Sequence, residues 1–177
     1  SLFSQVFIAR HFGVGHELDR YFGVLGTALG VMGALSVATN YVLPPELVRA
    51  LARNDVELAR NAAAEHGARI MAWIIALAST GAIFMIVAAH LGARPAGAPD
   101  AGMIIFGWLI AAASACAGMF GAISTAYRRV ALPLVTSALP PAALSISLVI
   151  SPDVDAARML LAMLLGTSVQ CLVLALS

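Results

Sequence analysis

The chain has 177 residues, of which 61% are hydrophobic and only 11% are charged, and its mean hydropathy is +0.94. In soluble domains about a quarter of the residues are charged, and a chain this short could not bury so many apolar segments on all sides. The net charge of +1 gives no basic field that would attract nucleic acid. The composition therefore predicts an all-α integral membrane protein.

Apolar segments recur along the chain and predict its organisation. Residues 2–12 are too short to cross a membrane alone, because a spanning helix needs about 20 residues. We therefore expect the end of an incomplete first helix there. Five later segments predict spans two to six: 21–43, 70–91, 103–126, 130–150 and 159–177. The sixth span is also expected to be incomplete, so the sequence is interpreted as a segment of a longer protein.

Proline pairs and one polar stretch interrupt this pattern. Span two is expected to end at Pro44 and Pro45. Pro140 and Pro141 are expected to break span five, because each proline removes a backbone donor. Residues 46–69 form the longest polar stretch, and most of their apolar side chains recur at helical spacing on one face. This pattern predicts an amphipathic helix at the membrane interface, between spans two and three.

The arginines divide unequally between the two sets of loops. One set holds Arg49, Arg53, Arg60, Arg69, Arg128 and Arg129, and the other holds Arg20, Arg94 and Arg158. The richer side is expected to be cytoplasmic, since short cytoplasmic loops carry the excess of basic residues. Arg128 and Arg129 follow Tyr127 in a tight turn after span four. We predict that these two arginines anchor the topology and contact lipid headgroups.

Four polar side chains are candidates for function. Asp19 is either a solvated residue at a helix start or a functional group at the outer mouth. Arg10 either extends to the headgroups or faces a cavity where it contacts an anionic substrate. Asn40 and Gln170 lie within spans, where an amide either joins two helices by hydrogen bonding or lines a cavity.

Glycines within the spans also have two interpretations. Gly26 with Gly30, and Gly118 with Gly121, provide small-residue faces that let membrane helices approach closely. Alternatively, these glycines are bending points in a helix that moves.

The sequence contains no pattern typical of an enzyme. It has no glycine-rich phosphate loop, no pairing of a nucleophile with a base, and no metal-ligand spacing. Cys116 and Cys171 fall inside apolar runs, where cysteine behaves as a small hydrophobic residue. We therefore predict no catalytic residues, no metal, no disulfide and no cofactor.

Several stretches share a pattern with a known transporter family. They are ARHFG at 9–13 followed by LDRYF at 18–22, ATNYVLPPELVRA at 38–50, GAISTAYRRVALPLVTSALPPA at 121–142 and LLGTSVQCLVLALS at 164–177. In this order they resemble the N-terminal half of the lipid II flippases of the MurJ/MviN type. Those proteins belong to the multidrug/oligosaccharidyl-lipid/polysaccharide (MOP) exporter superfamily.

The resemblance implies a fold and a function. Residues 1–177 would form the six-helix N-terminal lobe of a fourteen-helix flippase in the bacterial cytoplasmic membrane, and the C-terminal lobe would be its partner. A lipid-linked oligosaccharide would enter a central cavity, with its polyprenyl tail among the membrane lipids, and would cross by alternating access. Arg10 and Asp19 match the family's pattern, which implies contacts with the substrate or the gate.

The chain also departs from the family at cavity positions. Ser4 and Gln5 stand where the flippases carry an arginine–aspartate pair, and residues 30–32 read GVM where the family has a pair of arginines. These departures leave three alternatives: a flippase for another lipid-linked polysaccharide, a cation-coupled drug exporter, or a scaffold for envelope synthesis that no longer transports. Restoring arginine at Ser4 and Met32 is expected to discriminate among them.

Overall fold

A computed structural model of the chain describes residues 16–53, 55–91, 99–150 and 156–176. Within these ranges the chain is helical and has no strand. The helices are α1 (His16–Ala52), α2 (Val56–Leu91), α3 (Ala101–Ala126), α4 (Ala131–Thr136), α5 (Leu139–Ile150) and α6 (Ala156–Ala175). Five helical segments are long and apolar enough to cross a membrane, with α4 and α5 forming one of them. The protein is therefore all-α, and its helices indicate a multi-pass membrane protein.

The five segments correspond to predicted spans two to six. The first predicted span, residues 2–12, lies outside the described residues, as do Arg10 and Arg94. The structure therefore bears only on the five later spans, and the lobe of six helices stays a prediction.

Helix α3 is the centre of the described bundle. It packs against α1, α2 and α6. Half of the residues in its most apolar 18-residue stretch are buried, compared with 6% in the corresponding stretch of α2. The close approach of α1 depends on two glycines of α3. A Cβ atom at Gly107 would lie 2.5 Å from Cγ1 of Val24, and one at Gly118 would lie 2.3 Å from Oγ of Ser36. The predicted small-residue contact at Gly118 is confirmed.

The glycines of α1 behave differently. A Cβ atom added at Gly26 or Gly30 would meet nothing within 4 Å in the described part of the chain. The small-residue face predicted at these two glycines therefore makes no helix contact among the described residues. Both glycines are exposed on α1.

Apolar clusters join the helices at successive levels of the bundle. Near the start of α1, Tyr21 and Leu25 cluster with Leu144 of α5 and Leu160 of α6. Farther along, Met32 packs with Ile74 of α2 and Trp108 of α3 in a second cluster. Leu43, Leu47 and Met119 belong to a third cluster near the arginine-rich end. Burial of these side chains fixes the rotation of α1 relative to α3.

The expectation that span two ends at Pro44 and Pro45 is wrong. Helix α1 includes both prolines and continues to Ala52. Each proline removes one backbone hydrogen bond from the helix. However, Leu43 and Leu47 on either side are fully buried against α3. This packing holds the helix across the proline pair.

The break predicted in span five is confirmed. Helix α4 ends at Thr136, and α5 begins at Leu139, so Pro140 and Pro141 lie in the first turn of α5. There the backbone N–H would lack an intrahelical acceptor in any residue, so proline costs little. The hydroxyl of Ser137 donates to the carbonyl of Leu134 at 2.7 Å, which satisfies one carbonyl left open at the break.

The polar stretch 46–69 consists of two helix ends. Its first part is the end of α1, and its second part is the start of α2, which begins at Val56. The two ends meet where Nε2 of His66 lies 2.8 Å from Oε2 of Glu46. That oxygen is buried and receives no well-aligned hydrogen bond, so the contact is a close approach of two polar groups. A polar helical hairpin therefore stands where one amphipathic helix was expected.

Candidate functional site

A cleft of ≈ 360 Å³ lies on the face of α3 that is bordered by α1, α4 and α6. Its polar lining consists of Asn40, Ser114, Thr125 and Gln170, and we call it the amide cleft. The remaining lining residues are small or apolar: Ala117, Gly118, Gly121, Ala122, Pro133 and Leu174. The four polar residues thus come together from three different helices.

The spacing on α3 explains why its residues share the cleft. Ser114, Gly118, Gly121 and Thr125 recur at intervals of three or four residues, which places them on one helix face. The two glycines leave room above the helix, so the cleft has space where larger side chains would fill it. The hydroxyl of Thr125 donates to the carbonyl of Gly121 at 2.8 Å and so presents its lone pairs to the cleft.

The two side-chain amides differ in the hydrogen bonds that they make within their own helices. Nδ2 of Asn40 donates to the carbonyl of Ser36 at 2.9 Å, which fixes the orientation of this exposed side chain. The amide of Gln170 is half-buried, and it makes no hydrogen bond to any residue in the described ranges. Its donor and acceptor groups therefore remain available to a ligand in the cleft.

The amide cleft follows the second half of α3, from Ser114 to Thr125, and α3 is long and apolar enough to cross a membrane. Polar side chains within such helices usually face the bundle interior or a water-filled cavity. Pro133 belongs to the short helix α4, and discontinuous helices are tolerated in a membrane where they line a cavity. The cleft combines these two features, polar side chains within apolar helices and a discontinuous helix in its wall, and is therefore the candidate site.

The structure brings together two of the predicted site residues and separates a third. Asn40 and Gln170 both line the amide cleft. Asp19 is exposed near the start of α1, and the helical rise puts it about 30 Å from Asn40 along the axis. Arg10 lies outside the described residues. Ser114 and Thr125 also line the cleft but were not among the predicted site residues, although their spacing with Gly118 and Gly121 is visible in the sequence.

The turn after α3 separates its two arginines. Arg128 has a φ of 63°, in the left-handed region that usually takes glycine at this position. Its N–H donates to the carbonyl of Thr125, and the N–H of Arg129 donates to that of Ser124, both at 2.9 Å. These two bonds form the Schellman motif that closes many helices.

Because of this turn, the neighbouring arginines line different cavities. Arg128 lines a cavity of ≈ 440 Å³ with Leu51 and Ala52 at the end of α1. Arg129 lines one of ≈ 470 Å³ with Leu174 and Ala175 at the end of α6. Arg128 thus lies near the negative end of the α1 dipole, where a cation is favoured.

Comparison of the chain with models of protein families, with curated proteins and with solved structures finds no match. In the described part of the chain, no three His, Cys, Asp or Glu side chains lie close enough together to hold a metal ion. Cys116 and Cys171 are both free.

Proposed function

We propose that the chain is the N-terminal lobe of a MOP-type flippase similar to the MurJ/MviN family. It moves a lipid-linked cell-envelope precursor across the bacterial cytoplasmic membrane. The observation that carries this proposal is the amide cleft, which Asn40 and Gln170 both line beside an interrupted helix. The sequence resemblance supplies the substrate class.

The proposed mechanism is alternating access. This lobe rocks against a C-terminal lobe of the same chain, while the polar headgroup occupies the cavity and the polyprenyl tail stays in lipid. The amide cleft supplies hydrogen bonds that replace water around the headgroup during passage. The break between α4 and α5 provides a place where the cleft wall can bend. Asp19, near the start of α1, is proposed to act at the outer mouth rather than in the cleft.

The lining of the cleft favours a second candidate, a flippase for a different lipid-linked polysaccharide. None of the described residues lining the cleft is charged. A diphosphate is best held by arginine, whereas neutral amides and hydroxyls suit the hydroxyl groups of a sugar. The cleft would then select the oligosaccharide part of the substrate.

The structure also changes the choice of restoring variant. Met32 is 1% exposed and packs among the apolar side chains of α2 and α3, so an arginine there would be buried without a partner. Met32→Arg is therefore expected to destabilise the bundle, and its failure to transport would not identify the substrate.

Complementation in cells depleted of their own lipid II flippase tests the proposal. The unmodified full-length parent gene and three variants of it, Gln170→Leu, Asn40→Leu and Asp19→Ala, are introduced separately. Thr80→Val is the matched control, because Thr80 is exposed on α2 away from the cleft. Rescue by the parent and the control, but not by the cleft variants at equal abundance, supports lipid II transport. Failure of the parent to rescue at normal abundance favours a different lipid-linked substrate. Full rescue by both cleft variants would refute a role for the cleft.

A further inference from the structure

A second cavity lies at the arginine-rich end of the bundle, between the last turns of α3 and α6. It has a volume of ≈ 470 Å³, and we call it the arginine groove. Phe120 and Ile123 of α3 and Leu174 of α6 form its apolar walls. Leu174 also borders the amide cleft, so this side chain separates the two cavities.

Polar groups are gathered at one end of the arginine groove. Arg129, Tyr127 and Ser124 line it together with the apolar walls. Tyr127 directly follows α3 and is 40% exposed, which is the position of interfacial aromatic residues in membrane proteins. The groove therefore has an apolar part at the depth of acyl chains and a cationic end at the depth of headgroups.

The charge of the groove limits what it can bind. Arg129 is the one charged residue among the described residues that line it, and a guanidinium pairs with a phosphate through two parallel hydrogen bonds. Basic pockets between membrane helices at this depth are typical sites for anionic headgroups. A zwitterionic lipid would bring its own cation close to Arg129 and is disfavoured.

We propose that the arginine groove binds one anionic glycerophospholipid of the bilayer. Its phosphate contacts the guanidinium of Arg129 and the hydroxyl of Tyr127, and an acyl chain lies along Phe120 and Ile123. The bound lipid fills the space between the ends of α3 and α6 and links these helices to one leaflet. This proposal concerns a groove outside the amide cleft, so it does not depend on the transport function.

Native mass spectrometry of the full chain tests the site. The protein is purified in mixed micelles containing equal amounts of phosphatidylglycerol and phosphatidylcholine, and the lipid retained per protein is counted. One phosphatidylglycerol is expected on the unmodified chain, in preference to phosphatidylcholine. Arg129→Gln is expected to weaken its retention at least tenfold, because the charge-assisted hydrogen bonds of the guanidinium to the phosphate are lost.

Two further variants keep the test specific. Arg128→Gln removes the neighbouring charge, which lines the cavity at α1, and is expected to retain the lipid. Ala175→Trp keeps both arginines but fills the groove, and is expected to lose the lipid while helix content stays unchanged. Equal retention by Arg129→Gln and the unmodified chain, equal loss in Arg128→Gln, equal retention of the two lipids, or full retention in Ala175→Trp would each overturn the proposal.

Discussion

Asn40 and Gln170 line the same cleft, although they belong to the first and the last of the described helices. Helix α3 lies beside both and provides the floor between them through its small and hydroxyl-bearing residues. An amide within an apolar span is costly unless it finds a partner or faces a cavity. The arrangement favours the cavity interpretation of both residues over a direct hydrogen bond between helices.

The proximity of these two residues can be tested by cross-linking. In a chain with Cys116 and Cys171 replaced by alanine, Asn40→Cys combined with Gln170→Cys is expected to react with a short bifunctional maleimide. The product is an intramolecular cross-link that changes mobility on a denaturing gel. The control is Asp19→Cys with Gln170→Cys, which the length of α1 keeps apart by about 30 Å along the axis. Cross-linking of the control pair, or none in the test pair, would contradict the cleft.

How far the sequence could predict the fold is shown by the two proline pairs. Both pairs were expected to interrupt a helix, because proline lacks the donor that a helix interior needs. Pro140 and Pro141 follow such a break and lie in the first turn of α5, where proline is tolerated. Pro44 and Pro45 do not interrupt a helix, because the buried Leu43 holds α1 against α3. Local chemistry was the same in both cases, and only the tertiary packing distinguishes them.

A similar limit applies to the candidate site. Asn40 and Gln170 could be singled out from the sequence because amides are rare in apolar spans. Their meeting could not, since it depends on the rotation and neighbours of three helices. Ser114 and Thr125 are common residues in membrane helices, and their role follows only from the face of α3 that they share.

Gly166 is expected to be intolerant of even a methyl group. An added Cβ atom would lie 2.7 Å from Cα of Pro140 and 3.0 Å from the carbonyl oxygen of Leu139, and backbone atoms cannot rotate away. Gly166→Ala should lower the free energy of unfolding by about 1–3 kcal/mol, as overpacking usually does. Unfolding in increasing sodium dodecyl sulfate, followed by circular dichroism, measures the change.

Gly26→Ala is the matched control for that experiment. This glycine also lies within a helix, but its Cβ position is open in the described part of the chain. Alanine should then stabilise the helix by up to about 1 kcal/mol through its higher helix propensity. Equal stability of the two variants would show that α5 and α6 do not pack closely at Gly166.

The contact between Glu46 and His66 is expected to couple the ends of α1 and α2 weakly. The two side chains are 41% and 29% exposed, so solvent screens their interaction. A double-mutant cycle with alanine should give a coupling energy below about 1 kcal/mol. The more exposed pair Glu65 and Arg69, within α2, is the control and should give about 0.3–0.5 kcal/mol. Coupling of several kcal/mol would mean that the hairpin is far less solvated than described.

The left-handed backbone at Arg128 leads to a prediction about stability. With a φ of 63°, any residue with a Cβ atom is strained there, and glycine is not. Arg128→Gly and Arg128→Ala remove the same charge, so their difference isolates the backbone. We expect the glycine variant to be more stable by about 1 kcal/mol in detergent unfolding. At Val130, which has a φ of −64°, the same pair of substitutions should not favour glycine. An alanine variant at Arg128 as stable as the glycine variant would show that α3 does not end in the Schellman motif.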